Sequence, residues 1–267
     1  MPIANARMYS VTASCRADWK AVLGWALERA ELAWPLLDFD PPAPISQLWS
    51  RADLGAVMMC GLPYSQRAPK PVLVAAPLPS PARYAGKPVY FTDLVVAAAS
   101  PHRTLEDTFG GVVGYTLAES LSGGVALRAH LARYRTVLRP RLYRRSVGNL
   151  IHARGVIEAL AAGAIDVGPL DGYCHDLLRR NDPEFAAQVR TVASTDAMPI
   201  SPIVATAPVT GPELARLRAA LQATPRAAEL TDPMARLLLS GFGLPDPADY
   251  DVLTAIERRN AILFEDL

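Results

Sequence analysis

Two hydroxyls and two glycines, Ser120, Ser122, Gly123 and Gly124, stand directly ahead of the amphipathic stretch Val125–Leu131. Backbone N–H groups at a helix start have no intrahelical acceptor, and the helix dipole places roughly half a positive charge there, so such a turn can seat an oxyanion without a lysine. The hydroxyls add donors, and the glycines allow a ligand close to the main chain. The plain alternative is an ordinary capped helix.

A second set follows. His152 opens a stretch whose apolar positions Val156, Ile157, Leu160 and Ala161 share one helix face; Gly163 stops it, Ile165–Leu170 reads as a buried strand, and Asp171 falls just past that strand. Open α/β sheets bind ligands at that edge. Singly, the histidine is a capping or surface residue and the aspartate a turn former. A third set is aromatic. The strand ending in Met59-Cys60-Gly61-Leu62-Pro63-Tyr64 can hold Tyr64 over a cleft, while Tyr9 with Ser10 and Tyr90 with Thr92 stand at other strand ends. Aromatic residues in such places also pack into cores.

Short apolar runs alternating with helical patterns position these residues and define an α/β chain. Strands are expected at Arg7–Val11, Gly55–Cys60, Pro71–Ala76, Val112–Tyr115 and Ile165–Leu170, within Val137–Tyr143, and near Ile203–Ala207. An extended run is expected over Val89–Ala98, preceded by a surface connection at Pro77–Pro88. Helices are expected at Cys15–Ala33, after Ser122, from about Asn149 to Ala162, and over Pro212–Leu221, Asp232–Leu239 and Asp249–Phe264. The middle third carries a β-α-β-α-β set of its own, which reads as an inserted lobe. The expected division is residues 1–97 with 196–267 as the first lobe and 98–195 as the second.

The chain has 267 residues, about half of them apolar, enough for a sizeable core. Its 27 basic and 26 acidic residues nearly cancel, so long-range attraction to nucleic acid or anionic membranes is missing for the chain as a whole. Arg133, Arg135, Arg139, Arg141, Arg144 and Arg145, interleaved with Tyr134 and Tyr143, could track a single strand, but 24 of the 27 basic residues are arginine and a solvated face is the expectation. No nucleic-acid partner is expected. Cys15, Cys60 and Cys174 are far apart and form no C-x-x-C pair, so neither disulfides nor a metal site are expected, and no cofactor is implied. The first residues lack the apolar core of a signal peptide, which points to the cytoplasm as the chain stands, or to the periplasm if a leader was lost. No apolar window is long enough to insert in a membrane.

Taken in order, Met8-Tyr9, Gln47-Leu48-Trp49, Cys60-Gly61-Leu62-Pro63-Tyr64, Ser120-x-Ser122-Gly123, and His152 before Gly163-x-x-Asp166-x-x-x-x-Asp171 resemble the phosphonate- and phosphite-binding proteins of ABC transporters, in a signal-less branch. The resemblance implies a type 2 periplasmic-binding fold: two lobes, each a sheet flanked by helices, with a ligand cleft between them. It also implies a non-catalytic solute-binding protein for a small anionic or zwitterionic molecule. Ser120, Ser122, Gly123 and His152 would then donate to an oxyanion, Asp171 would accept from an amine or hydroxyl, and Tyr9, Tyr64 and Tyr90 would line the first-lobe side. Ile151 stands where the family usually offers a small hydroxyl residue. Expected partners are the ligand and a transporter permease or a signalling protein. The alternatives are an enzyme on the same fold, similar to thiamine-pyrimidine or menaquinone-pathway enzymes, and a cytosolic ligand sensor. No catalytic motif accompanies the fold pattern.

Overall fold

The computed structural model describes residues 1–40, 43–260 and 262–267. Two compact units result, Met1–Val89 with Pro199–Tyr250 and Tyr90–Met198 with Asp251–Leu267.

The first unit is built on a five-stranded sheet in the order Ile3–Asn5, Leu54–Met58, Ile203–Ala205, Val72–Pro79, Leu239–Gly243. The first pair is parallel, and the other pairings are antiparallel. The interior strand Leu54–Met58 is buried at every position, so it reads as an unbroken apolar run rather than an alternation. The helix Ala13–Arg29 starts at Thr12, whose hydroxyl accepts from the Cys15 N–H, and buries Trp19 edge-on against Phe242. Asp18, nearly buried on that helix, takes two hydrogen bonds from Arg236, at 2.9 and 2.7 Å. This fork-to-carboxylate geometry pins the Thr231–Arg236 helix to the first one.

In the second unit, Thr92–Ala97 lies between Gly168–Asp171 and Val189–Ser194, antiparallel to both. Val112–Gly114 runs parallel to Arg145–Val147, and Val113 bridges Val167 in parallel. Leu94, Val96, Val113, Leu127, Leu131 and Val167 form the core between this sheet and its helices.

Several expectations shift. The first strand is Ile3–Asn5, and Tyr9 sits in a turn with φ +61°. Strand Val72–Pro79 runs on into the stretch expected as a surface connection. No strand forms within Val137–Tyr143; Pro140 has no N–H to give a ladder, and the strand falls at Arg145–Val147. The helix Gly172–Asn181 and the strand Leu239–Gly243 were not anticipated, and Asp249–Phe264 becomes the helix Asp251–Arg259, with residue 261 outside the described residues.

The division at 1–97, 98–195 and 196–267 is redrawn as well. Thr92–Ala97 is the middle strand of the second unit's sheet and belongs there. The C-terminal segment joins it because Leu142 and Tyr143 both donate backbone bonds to the Leu267 carbonyl at 2.9 Å, while Phe264 stacks on Tyr115 with ring centroids 3.6 Å apart.

Candidate functional site

Three polar candidates of the second unit, Ser120, His152 and Asp171, share one local role: each caps a helix. Ser120 precedes a wide π turn, Leu121–Val125, that continues into the helix Ala126–Ala132, and its hydroxyl accepts from the Gly123 N–H at 3.3 Å. Its carbonyl accepts from both Gly124 and Val125, the second closing the wide turn. Such turns recur at functional sites because they spread the helix start and re-aim its donors. His152 caps Ala153–Ala161, with Nδ1 accepting from the Gly155 N–H at 3.1 Å. Asp171 caps Gly172–Asn181, with Oδ1 accepting from the N–H groups of Tyr173 and Cys174, both at 3.0 Å.

Topology brings the three caps to one edge. They follow the carboxyl ends of segments that run parallel, at 112–114, 145–147 and 167. Hydrogen bonds then knit the loops together. The Tyr115 N–H donates to Val147 at 2.9 Å, Leu150 donates back to Tyr115 at 3.4 Å, and Thr116 donates to the Gly123 carbonyl at 3.2 Å. Thr92, wholly buried, is the tie between the other two: it pairs across from Asp171, and its hydroxyl donates to the Ser122 carbonyl at 3.2 Å.

Spare valence differs among the candidates. The Ser120 hydroxyl is engaged as a cap, whereas the Ser122 hydroxyl, half-buried, makes no hydrogen bond among the described residues. Leu121 and Ser122 occupy the first positions of the helical turn, where N–H groups lack intrahelical acceptors. Because Nδ1 of His152 accepts, the neutral ring carries its proton on Nε2, which is left as an outward donor on an exposed side chain. Gly123 cannot be replaced quietly. A Cβ there would lie 1.7 Å from the Thr116 hydroxyl.

Strain marks the same edge. Asn149 and Ile151, just ahead of His152, have φ of +58° and +63°. A β-branched residue in that region is a genuine outlier, and it persists only because the surrounding structure over-determines the backbone. Behind the edge lies a buried chain that no spacing rule flags. His175 Nδ1 is 2.9 Å from Asp93 Oδ2, both side chains are fully buried, and Ser194 donates to Asp93 Oδ1 at 2.7 Å. Asp93 follows Thr92 in sequence, so the network holds the start of the Thr92–Ala97 strand against the first turns of the Asp171-capped helix.

The aromatic candidates are placed differently. Tyr64 is on the helix Gly61–Gln66, fully buried, edge-on to Tyr250 at 5.0 Å. Tyr9 is buried in its turn, and Tyr90 is buried at the beginning of the second unit. No disulfide joins the three cysteines, and no group of three or more metal-ligating side chains occurs among the described residues.

Two units, each with sheet and helices, are the architecture of the periplasmic-binding fold. Residues 52–250 match the family described as ABC transporter, phosphonate, periplasmic substrate-binding protein, and the chain belongs to that family. A binding-protein component of a phosphonate ABC transporter from Pseudomonas aeruginosa aligns with TM-score 0.75 at 16% identity, covering 97% of this chain and 87% of that one. PhnD1 from Prochlorococcus marinus, solved with methylphosphonate, aligns with TM-score 0.74 at 13% identity, covering 97% of both. A Xanthomonas citri protein bound to ATP aligns with TM-score 0.64 at 19% identity, covering 97% of this chain and 98% of that one. No curated protein matches by sequence. The chain is a solute-binding protein. No helix among the described residues is long and apolar enough to cross a membrane.

Proposed function

We propose that the second unit seats a tetrahedral phosphorus oxyanion on the turn at Ser120–Gly123 and on His152, with Asp171 holding a protonated amine or hydroxyl of the same ligand. The observation that carries this is the capping pattern: three polar residues, each at a helix N-terminus, follow parallel strand ends on one edge. Helix starts concentrate unsatisfied N–H groups and positive potential, which is what a phosphonate or phosphate demands. Two aligned proteins, with methylphosphonate and ATP, hold ligands whose common group is a phosphorus oxyanion. Tyr9, Tyr64 and Tyr90 are buried, and Phe substitutions, which remove their hydroxyls alone, test whether any of them contributes to binding.

The proposed role is non-catalytic capture and delivery to a transporter permease. Binding, not turnover, is the activity to measure. Titration calorimetry with methylphosphonate and inorganic phosphate as probes should give saturable heat with the native chain, and Ser122→Ala, His152→Ala and Asp171→Asn should each weaken it. Unchanged affinity in all three variants would remove this edge from the site.

A further inference from the structure

Residues 133–145 carry six arginines and no acidic residue, in a chain whose net charge is +1. The stem of this loop is anchored. Leu142 and Tyr143 are buried, the Tyr143 hydroxyl lies 3.0 Å from that of Thr108, and Tyr134 packs edge-on to Phe109. The tip projects. Thr136 and Arg139 exchange backbone hydrogen bonds, both at 3.1 Å, and close a tight turn whose two central residues, Val137 and Leu138, are each 97% exposed.

Turn chemistry favours Gly, Asn, Asp or Pro at such positions, and nothing in the fold rewards two aliphatic side chains in water there. The charge around them is also uncompensated. Of the six arginines only Arg133 has a carboxylate partner among the described residues, Asp196. Arg135 donates to the Pro140 carbonyl at 2.6 Å, Arg141 donates to the Glu265 carbonyl, and Arg139 lies over the Phe109 ring. Carbonyls and ring faces fix a guanidinium without cancelling its charge.

We propose that the Thr136–Arg139 tip docks the second unit on an anionic lipid surface, with Val137 and Leu138 entering the headgroup boundary and the flanking arginines facing lipid phosphates. Apolar side chains leading and cations behind them are the arrangement an acidic bilayer surface selects. A single-stranded nucleic acid would need aromatic faces for its bases, but Tyr143 is buried and Tyr134 is partly buried, packed against Phe109 and the core. The inference is independent of the solute-binding reading.

Cosedimentation of the full chain with vesicles of phosphatidylglycerol and phosphatidylcholine tests it, beside vesicles of phosphatidylcholine alone. Binding to the anionic vesicles only is expected. The double variant Val137→Ser/Leu138→Ser should bind at least about tenfold more weakly. Arg139→Gln and Arg144→Gln should each cost roughly fivefold. Val137, Leu138 and Arg139 are exposed in the tip and Arg144 is exposed just past the buried stem, and circular dichroism should show native folding. Absence of native-chain binding, or equal binding by the double variant, overturns the proposal. So does retention on a single-stranded oligonucleotide without any on vesicles.

Discussion

In the first unit the candidate aromatics are packed away. Tyr64 meets Tyr250 in a fully buried edge-to-face pair, and Tyr9 is held in a strained turn. In the second unit the polar candidates stand at helix starts, where Nδ1 of His152 caps its helix and leaves Nε2 of the same exposed ring outside the cap. Ser120 and Ser122 show the division of labour within two residues: one hydroxyl is committed to Gly123, and its neighbour makes no bond among the described residues. The contrast teaches that motif residues differ in what the fold already asks of them: Tyr64 is closed into the core, while the Ser122 hydroxyl is half-buried and uncommitted among the described residues.

The sharpest test of that contrast is Tyr64→Ala, expected to lower unfolding free energy by about 3–5 kcal/mol because a large buried ring leaves a cavity. Denaturant titration measures it. A variant of native stability that has lost methylphosphonate would reverse the assignment of Tyr64 to the core. Gly123→Ala should come next, costing about 1–3 kcal/mol of stability because its Cβ meets Thr116, and weakening binding as well. Ser122→Ala should lose about 1–3 kcal/mol of affinity, the range for a donor to a charged group, with stability changed by less than about 0.5 kcal/mol. Ser120→Ala should show the opposite balance, about 1 kcal/mol of stability for a lost cap. Calorimetry and thermal melts on the two serine variants together decide whether capping and binding are separate jobs.

The smallest effect is in pH. His130, on the helix that follows the serine turn, is buried with both ring nitrogens unpartnered among the described residues, and burial, helped by Arg133, pushes its imidazole below the ordinary value. The unfolded chain therefore takes up the proton first as pH falls through about 6.5, and stability should decline below that pH. His130→Gln should flatten the decline in melts between neutral and mildly acid pH.

Much of the second unit was legible because its signals are local. The pair of serines with two glycines, the histidine ahead of a helical face, and Gly163 closing that face with φ +67° are rules of helix termini, readable from neighbours in sequence. The failures occurred where apolar runs lacked a partner to define them. Val137–Leu138 and Leu142–Tyr143 look alike as sequence, yet the first pair is 97% exposed and the second buried, since only the stem finds the core. Ile3–Asn5 was missed because a three-residue strand earns its place through pairing with Leu54–Met58. The helix after Asp171 was not expected because one of its buried positions is His175, whose partner Asp93 lies 82 residues away.

Sequence alone determined the α/β class, much of the order of its pieces and the helix starts after Ser120 and at His152, because capping and periodicity depend on residues a few positions apart. Tertiary structure decided what long-range pairing controls: Thr92 set across from Asp171 and bonded to Ser122, Asp93 buried against His175, and the C-terminal segment returned to the second unit. No local rule reaches these, since each joins residues whose proximity exists only after the strands between them have found their register.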